Sequence, residues 1–235
     1  MRNYLIKMIR FIIALFVVLS FQRTSSQTVH SVEKGVDYTN FRKVPEFNVE
    51  IDFDHVDYGK IYELIFYMTN ETRVKNGLKP LTYSAELEKT AEMHARDMIK
   101  GKFFSHINEK DALKKTPNDR AKLCNIANPN LAENLIEGFG LKYNSEEPVY
   151  LRGKGKFSRT KEGDYIKPHT YLSFCDVQIK RWMNSKEHRK NILSKDALQF
   201  GCGAAVFENS DFNQMPTLYV VQNFQCYEPL KKINQ

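Results

Sequence analysis

The chain has 235 residues, 42% of them hydrophobic, and a formal net charge of +7. That length supports one sizeable core. With the +3 that remains once residues 1–26 are removed, the basic excess makes no electrostatic case for nucleic acid, which calls for a clustered basic stripe.

Taken from the N-terminus, Arg2, Lys7 and Arg10 precede the apolar run Phe11–Phe21, and Gln22–Ser26 is small and polar. This is the layout of a signal peptide, with a run too short to span a ~30 Å hydrocarbon core comfortably. Thr24 and Ser26 occupy the −3 and −1 positions of a cut before Gln27. An uncleaved anchor is the alternative, because Arg23 sits awkwardly beside that cut. Removing residues 1–26 takes away four basic residues and no acidic ones, leaving a formal charge of +3. Residues 27–56 are polar with scattered aromatics and read as an extended leader. No later segment is apolar enough for a membrane helix, so no integral membrane segment is expected after cleavage.

Ile61, Leu64, Ile65 and Met68 recur at helical spacing, and that helix is expected to stop at Asn76-Gly77. Ser84 is placed to cap a second helix, with Glu86 in its first turn and Leu87, Ala91, Ala95 and Met98 on its apolar face, closing at Gly101. A short third helix fits Leu131–Glu137. Residues 138–171 form a Gly-rich, basic insertion read as a loop or solvated hairpin. A fourth helix fits Cys175–Ser185. Phe200–Phe207 and Leu218–Phe224 read as two antiparallel strands. Helices first and strands last, without βαβ alternation, indicate an α+β fold.

Four stretches, in order, resemble the bacterial branch of the CAP superfamily (cysteine-rich secretory, antigen 5 and pathogenesis-related proteins, the SCP-like domain). They are Asn70-Glu71-Thr72-Arg73 with Gly77-Leu78-Lys79-Pro80-Leu81; His94-Ala95-Arg96-Asp97-Met98 leading to Phe103-Phe104-Ser105-His106; Ala132-Glu133-Asn134-Leu135; and the run from Trp182 to Leu193 containing Ser185, His188, Arg189 and Asn191. Gly201-Cys202-Gly203 and Val221-Gln222-Asn223-Phe224 resemble the family's final strands. The resemblance implies a three-layer α/β/α sandwich with a small antiparallel sheet, spanning residues 57–228 with a tail at 229–235, and a surface cleft.

In that cleft the family often carries two histidines and two acids. Matched by position, His106 and His188 are the histidines and Glu133 the first acid, while Ser185 stands where the second acid is usual. Two neutral imidazoles with an acid nearby would hold a divalent cation such as Zn²⁺ only weakly. No catalytic residue is assigned: neither Ser105 nor Ser185 lies in a recognisable nucleophile motif. The structural alternatives are that His106 caps a helix end, that Glu133 accepts backbone bonds, that His188 pins a turn, and that His94 is a core histidine.

Cys124, Cys175, Cys202 and Cys226 are even in number, and in an oxidising compartment they read as two disulfides with three connectivities open. Cys202–Cys226 is expected from the neighbouring final strands, and Cys124–Cys175 by elimination. Asn70-Glu71-Thr72 matches a glycosylation sequon but falls within a helix. Together these readings describe an exported, non-enzymatic binding or effector module with an extracellular or cell-envelope ligand. The alternatives are a metal-assisted hydrolase using His106, His188 and Glu133, and a structural envelope protein. The exported protein is expected to begin at Gln27, and an intact mass that still includes residues 1–26 would mean an anchor instead.

Overall fold

The structure is a computed structural model that describes residues 35–144 and 147–227, so the signal-peptide reading lies outside the described residues. Its centre is a four-stranded sheet made of β1 (Thr82–Tyr83), β2 (Leu131–Phe139), β5 (Gln199–Asn209) and β6 (Met215–Gln225), in the order β1-β5-β6-β2. β5 and β6 form the expected antiparallel hairpin, with β2 antiparallel to β6 and only the short β1 parallel to β5. β3 (Tyr150–Gly153) and β4 (Lys156–Ser158) make a separate hairpin inside the basic insertion, beneath which Phe157, Leu141, Ile166 and Met215 form a small apolar cluster.

Side chains alternate across a strand, so each face of the sheet collects its own layer. One face presents Ile136, Val220, Phe224, Phe200 and Ala204, packed with α1 (Tyr58–Lys75) and α4 (Tyr171–Asn184). The other presents Leu135, Val221 and Ala205 to Ala91, Ala95 and Met98 of α2 (Ala85–Gly101). That is the α/β/α sandwich. The short helices α3 (Pro117–Leu123) and α5 (Lys186–Ile192) flank the strand β2.

The entry motif is structural. Asn70 exchanges two hydrogen bonds with the Leu81 backbone, and Arg73 donates to the carbonyls of Lys79, Ile192 and Ser194, tying α1 to the end of α5. Asn70 is therefore buried, and its sequon is closed to modification. Ser84 caps α2 as expected, but Gly101 is the last helical residue and Lys102 takes the left-handed position, at φ 52°.

Other expectations are corrected. Leu131–Glu137 is not a helix: it is most of β2, paired with β6 from Leu131↔Gln225 to Phe139↔Thr217. Its Leu and Ile fall at helical spacing because both faces of this strand are covered, which erases the alternation of a half-exposed strand. α4 begins at Tyr171, ahead of the expected start, because Thr170 and Ser173 form a reciprocal capping box. The described part of the leader has two 3₁₀ turns, Phe41–Lys43 and Pro45–Asn48, and buries Phe41, Phe47 and Ile51 in the main core.

The two expected disulfide pairings do not fit this structure, in which the four cysteines are free thiols. Cys202 pairs in register with Gln222, whereas Cys226 follows Gln225, which pairs with Gln199. The offset is about four residues, on the order of 13 Å at ~3.3 Å per residue, well beyond the ~4.4–6.8 Å a bridge spans. Cys175 lies with Cys202 in the core under α1 and α4, while Cys124 sits beside Thr90 of α2, against the opposite face.

α2 seats directly on β5 because two strand residues have no side chain. A Cβ on Gly201 would lie 2.2 Å from the Glu88 nitrogen, and one on Gly203 would lie 2.0 Å from the Glu92 nitrogen. Both obstacles are backbone and cannot swing away. Gly203→Ala is expected to cost about 3 kcal/mol, the upper end for overpacking, and to loosen α2 from the sheet. Urea unfolding checks this, and a loss under ~0.5 kcal/mol, the scale of a neutral surface change, would show that the helix can move.

Candidate functional site

The site is assembled where β2, α2, α3 and α5 meet. β2 turns Glu133 toward the α2 face, and Glu133 has only 2% of its side chain exposed. A carboxylate so buried needs a matched cation. Arg120, fully buried on α3, supplies it with Nη2 at 3.0 Å from Oε1 and 2.8 Å from Oε2. Asn223 adds a third contact when its amide is oriented to donate to Oε2 at 3.1 Å and to accept from the Ala91 nitrogen at 3.3 Å.

His106 completes the set. Its Nδ1 lies 2.9 Å from Glu133 Oε1, and its side chain is 49% exposed. Facing a carboxylate, Nδ1 carries the proton and donates, which leaves Nε2 of the neutral ring as the open acceptor. The loop bearing His106 is pinned twice from behind. Arg120 donates to the His106 carbonyl, and His94 Nε2 donates to the Ser105 carbonyl at 2.8 Å. A chain of groups thus runs outward from the buried Arg120, through Glu133, to an imidazole that meets solvent.

His188 comes from the other side, on α5. Asn134, adjacent to Glu133, donates to the His188 carbonyl at 3.1 Å, and Asn191 donates to Asn134 Oδ1 at 2.8 Å and to the Glu133 carbonyl at 3.3 Å. These two asparagines clamp the helix carrying one histidine to the strand carrying the acid. Burial, then the nearby charge of His106, lowers the pKa of His188, so the two imidazoles lie within electrostatic reach of each other. Ser185 sits half-buried at the α4–α5 junction without capping α5. Glu187 is exposed and acts on His188 only as a nearby charge.

The structure thus joins His106 to Glu133, with His188 held on the neighbouring helix within electrostatic reach of His106. Sequence reasoning missed Arg120 and Asn223 and assigned His94 to the core, where it does lie, though in a supporting role. Arg120 gave no signal of its own, because a charged residue in a polar stretch reads as solvated. On the α2 face of the sheet, a groove of about 590 Å³ is lined by Phe104, Phe207, Tyr219 and Glu137. Among the described residues no group of three His, Cys, Asp or Glu side chains could hold a metal ion. Any cation here would rest on the His106 and His188 nitrogens and on water, with Glu133 orienting His106 as carboxylates do behind metal-bound imidazoles.

The sequence matches the cysteine-rich secretory protein family, CAP, over residues 66–224. The chain belongs to that family. Among curated proteins of Bacillus subtilis strain 168, this CAP chain is 29% identical to YkwD over 136 residues, 58% of this chain and 39% of that protein. It is 26% identical to the membrane protein YlbC over 143 residues, 59% of this chain and 30% of that protein. The alignments therefore span well under half of either relative. Among solved structures, an extracellular protein with an SCP domain from Bacillus anthracis aligns with TM-score 0.47 and 19% identity, covering 72% of this chain and 41% of that one. An outer surface protein of Borrelia burgdorferi aligns with TM-score 0.45 and 15% identity, covering 77% of this chain and 99% of that one.

Removing the cation would strand a buried charge. Arg120→Met is expected to destabilise the CAP domain by about 3–5 kcal/mol at neutral pH, and Arg120→Met with Glu133→Gln by clearly less. Chemical denaturation of both variants measures this, and equal losses would show that the pair is not coupled.

A pH dependence follows from His94 and His169, whose pKa values burial lowers to about 4. The unfolded chain binds their protons near the ordinary value of ~6.5 while the native state does not. Stability is then full above ~6.5 and falls as the pH drops toward 4, by at most about 1.4 kcal/mol per pH unit for each ring. His169→Gln should flatten that slope, and an unchanged slope in denaturation from about pH 7 to 4 would refute the assignment.

Proposed function

We propose that this chain is an exported, non-enzymatic binding module whose cleft holds a divalent cation weakly through His106 and His188. The observation that carries the reading is the engagement of Glu133. Arg120 and His106 bond to this carboxylate, as does Asn223 with its amide turned to donate, so its oxygens are occupied by fixed donors. A hydrolytic base would have to accept and release a proton, and Glu133 is instead committed to holding His106 in one orientation. The geometry supports a fixed imidazole presenting Nε2, which suits binding better than proton transfer. Export is supported by the signal-like N-terminus, and no helix among the described residues is long and apolar enough to cross a membrane.

Calorimetry with Zn²⁺ at about pH 7.5, where imidazoles are neutral, tests the cleft. One weak site is expected, fading as the pH falls below ~6.5, because only neutral imidazoles bind metal. His106→Ala and His188→Ala should each abolish it without unfolding the protein, and Ser185→Glu should tighten it. Binding that survives in the double alanine variant, or no binding by the wild type, would sink the cation reading. Reproducible turnover that needs His106 would favour the hydrolase.

A further inference from the structure

The inserted hairpin has two unlike faces. Leu151 and Phe157 are register partners, and Phe157 is buried against Leu141, Ile166 and Met215. The opposite face follows from the pairing. Tyr150 pairs with Ser158, and Ser158 bridges to Tyr165, so the two tyrosines lie in one cross-strand row on the same side. Arg152 and Lys156 lie beside that row, with their cationic groups 5.7 and 5.8 Å from the Tyr165 ring centroid. Tyr150 is 47% exposed and Tyr165 54%, and Leu151 at the margin is 56% exposed.

Charge sets this surface apart. Residues 150–161 contain Arg152, Lys154, Lys156, Arg159 and Lys161 and no acid. Lys154 pairs with Glu208 and Arg159 with Glu147, while Arg152 and Lys156 make no ion pair among the described residues. Among the described residues the two cations flanking the tyrosines are thus uncompensated, as is Lys161.

We propose that this hairpin face docks on a bilayer surface rich in anionic lipid. Tyrosine, with an apolar ring and a polar tip, suits the depth of lipid headgroups, and Arg and Lys lay apolar stems along that layer while their charges reach the phosphates. A juxtaposed cation gains from the negative surface potential, whereas the two exposed rings gain from the acyl boundary. A soluble polyanion would use the charges but leave the apolar groups in water, so lipid is the occupant that uses both. The surface is separate from the histidine cleft, and the proposal does not depend on what the cleft binds.

The test is flotation of the full chain with vesicles of phosphatidylcholine alone and with about 40% phosphatidylglycerol, enough anionic lipid to set a strong surface potential. The phosphatidylcholine arm measures any attachment by the N-terminal apolar run, and the increment with anionic lipid reads the hairpin. That increment should fall roughly 25-fold in Arg152→Gln with Lys156→Gln, at about fivefold per cation. It should also fall severalfold in Tyr150→Ser with Tyr165→Ser, both pairs keeping the wild-type melting temperature. Lys186→Gln with Lys190→Gln, on α5, should leave it unchanged. No increment, or equal loss in the α5 variant, would overturn the proposal. So would an increment that needs the cations, ignores the tyrosines and is matched by soluble polyglutamate, which would mark a polyanion site.

Discussion

A carboxylate shut away from water must be neutralised in place, and the arrangement of this protein's cleft follows from how Glu133 meets that demand. Arg120 is the neutralising group, but it also grips the carbonyls of His106, Lys114 and Lys115. One guanidinium therefore fixes the acid and closes the loop that carries the first histidine. Without the buried charge on β2, little would draw Arg120 inward from a short polar helix. Without Arg120, the loop after α2 would lose its tie to the sheet. The carboxylate and the loop are ordered by the same bonds.

The second half of the cleft depends on amides instead. Asn134, Asn191 and Gln222 form a buried relay that continues to Thr69 on α1, through Asn134 Nδ2 to Gln222 at 3.0 Å and Gln222 Nε2 to Thr69 at 3.0 Å. Fully paired polar groups of this kind fix register at little cost, since each donor meets an acceptor at good distance. The relay crosses the sheet edge from α5 to α1, so the position of His188 is tied to the same helix whose Arg73 holds the end of α5. The rigid parts of the fold thus converge on two imidazoles.

Much of this was legible beforehand, and the limits are physical. The amphipathic period of α1 and α2, the Ser84 cap and the β5–β6 hairpin could be read because each has one wet side or a local bonding signature. β2 could not, since helices cover both of its faces and no alternation survives. His106, Glu133 and His188 were found through family motifs, whose order is visible in one dimension. Arg120 was invisible because its significance lies wholly in the burial of its partner, a tertiary fact. The cysteines misled for the opposite reason: an even count suggested bridges, while the strand register set Cys202 and Cys226 apart.

Those same cysteines bear on how the core is filled. Cys175 and Cys202 are fully buried, and desolvation holds both thiols well above their ordinary pKa. A thiol without its thiolate form and without access to solvent reacts slowly with oxidants and with other disulfides. Packed between α4 and the sheet, these side chains serve as small apolar fillers. What the core takes from them is small apolar volume at the seam of helix and sheet.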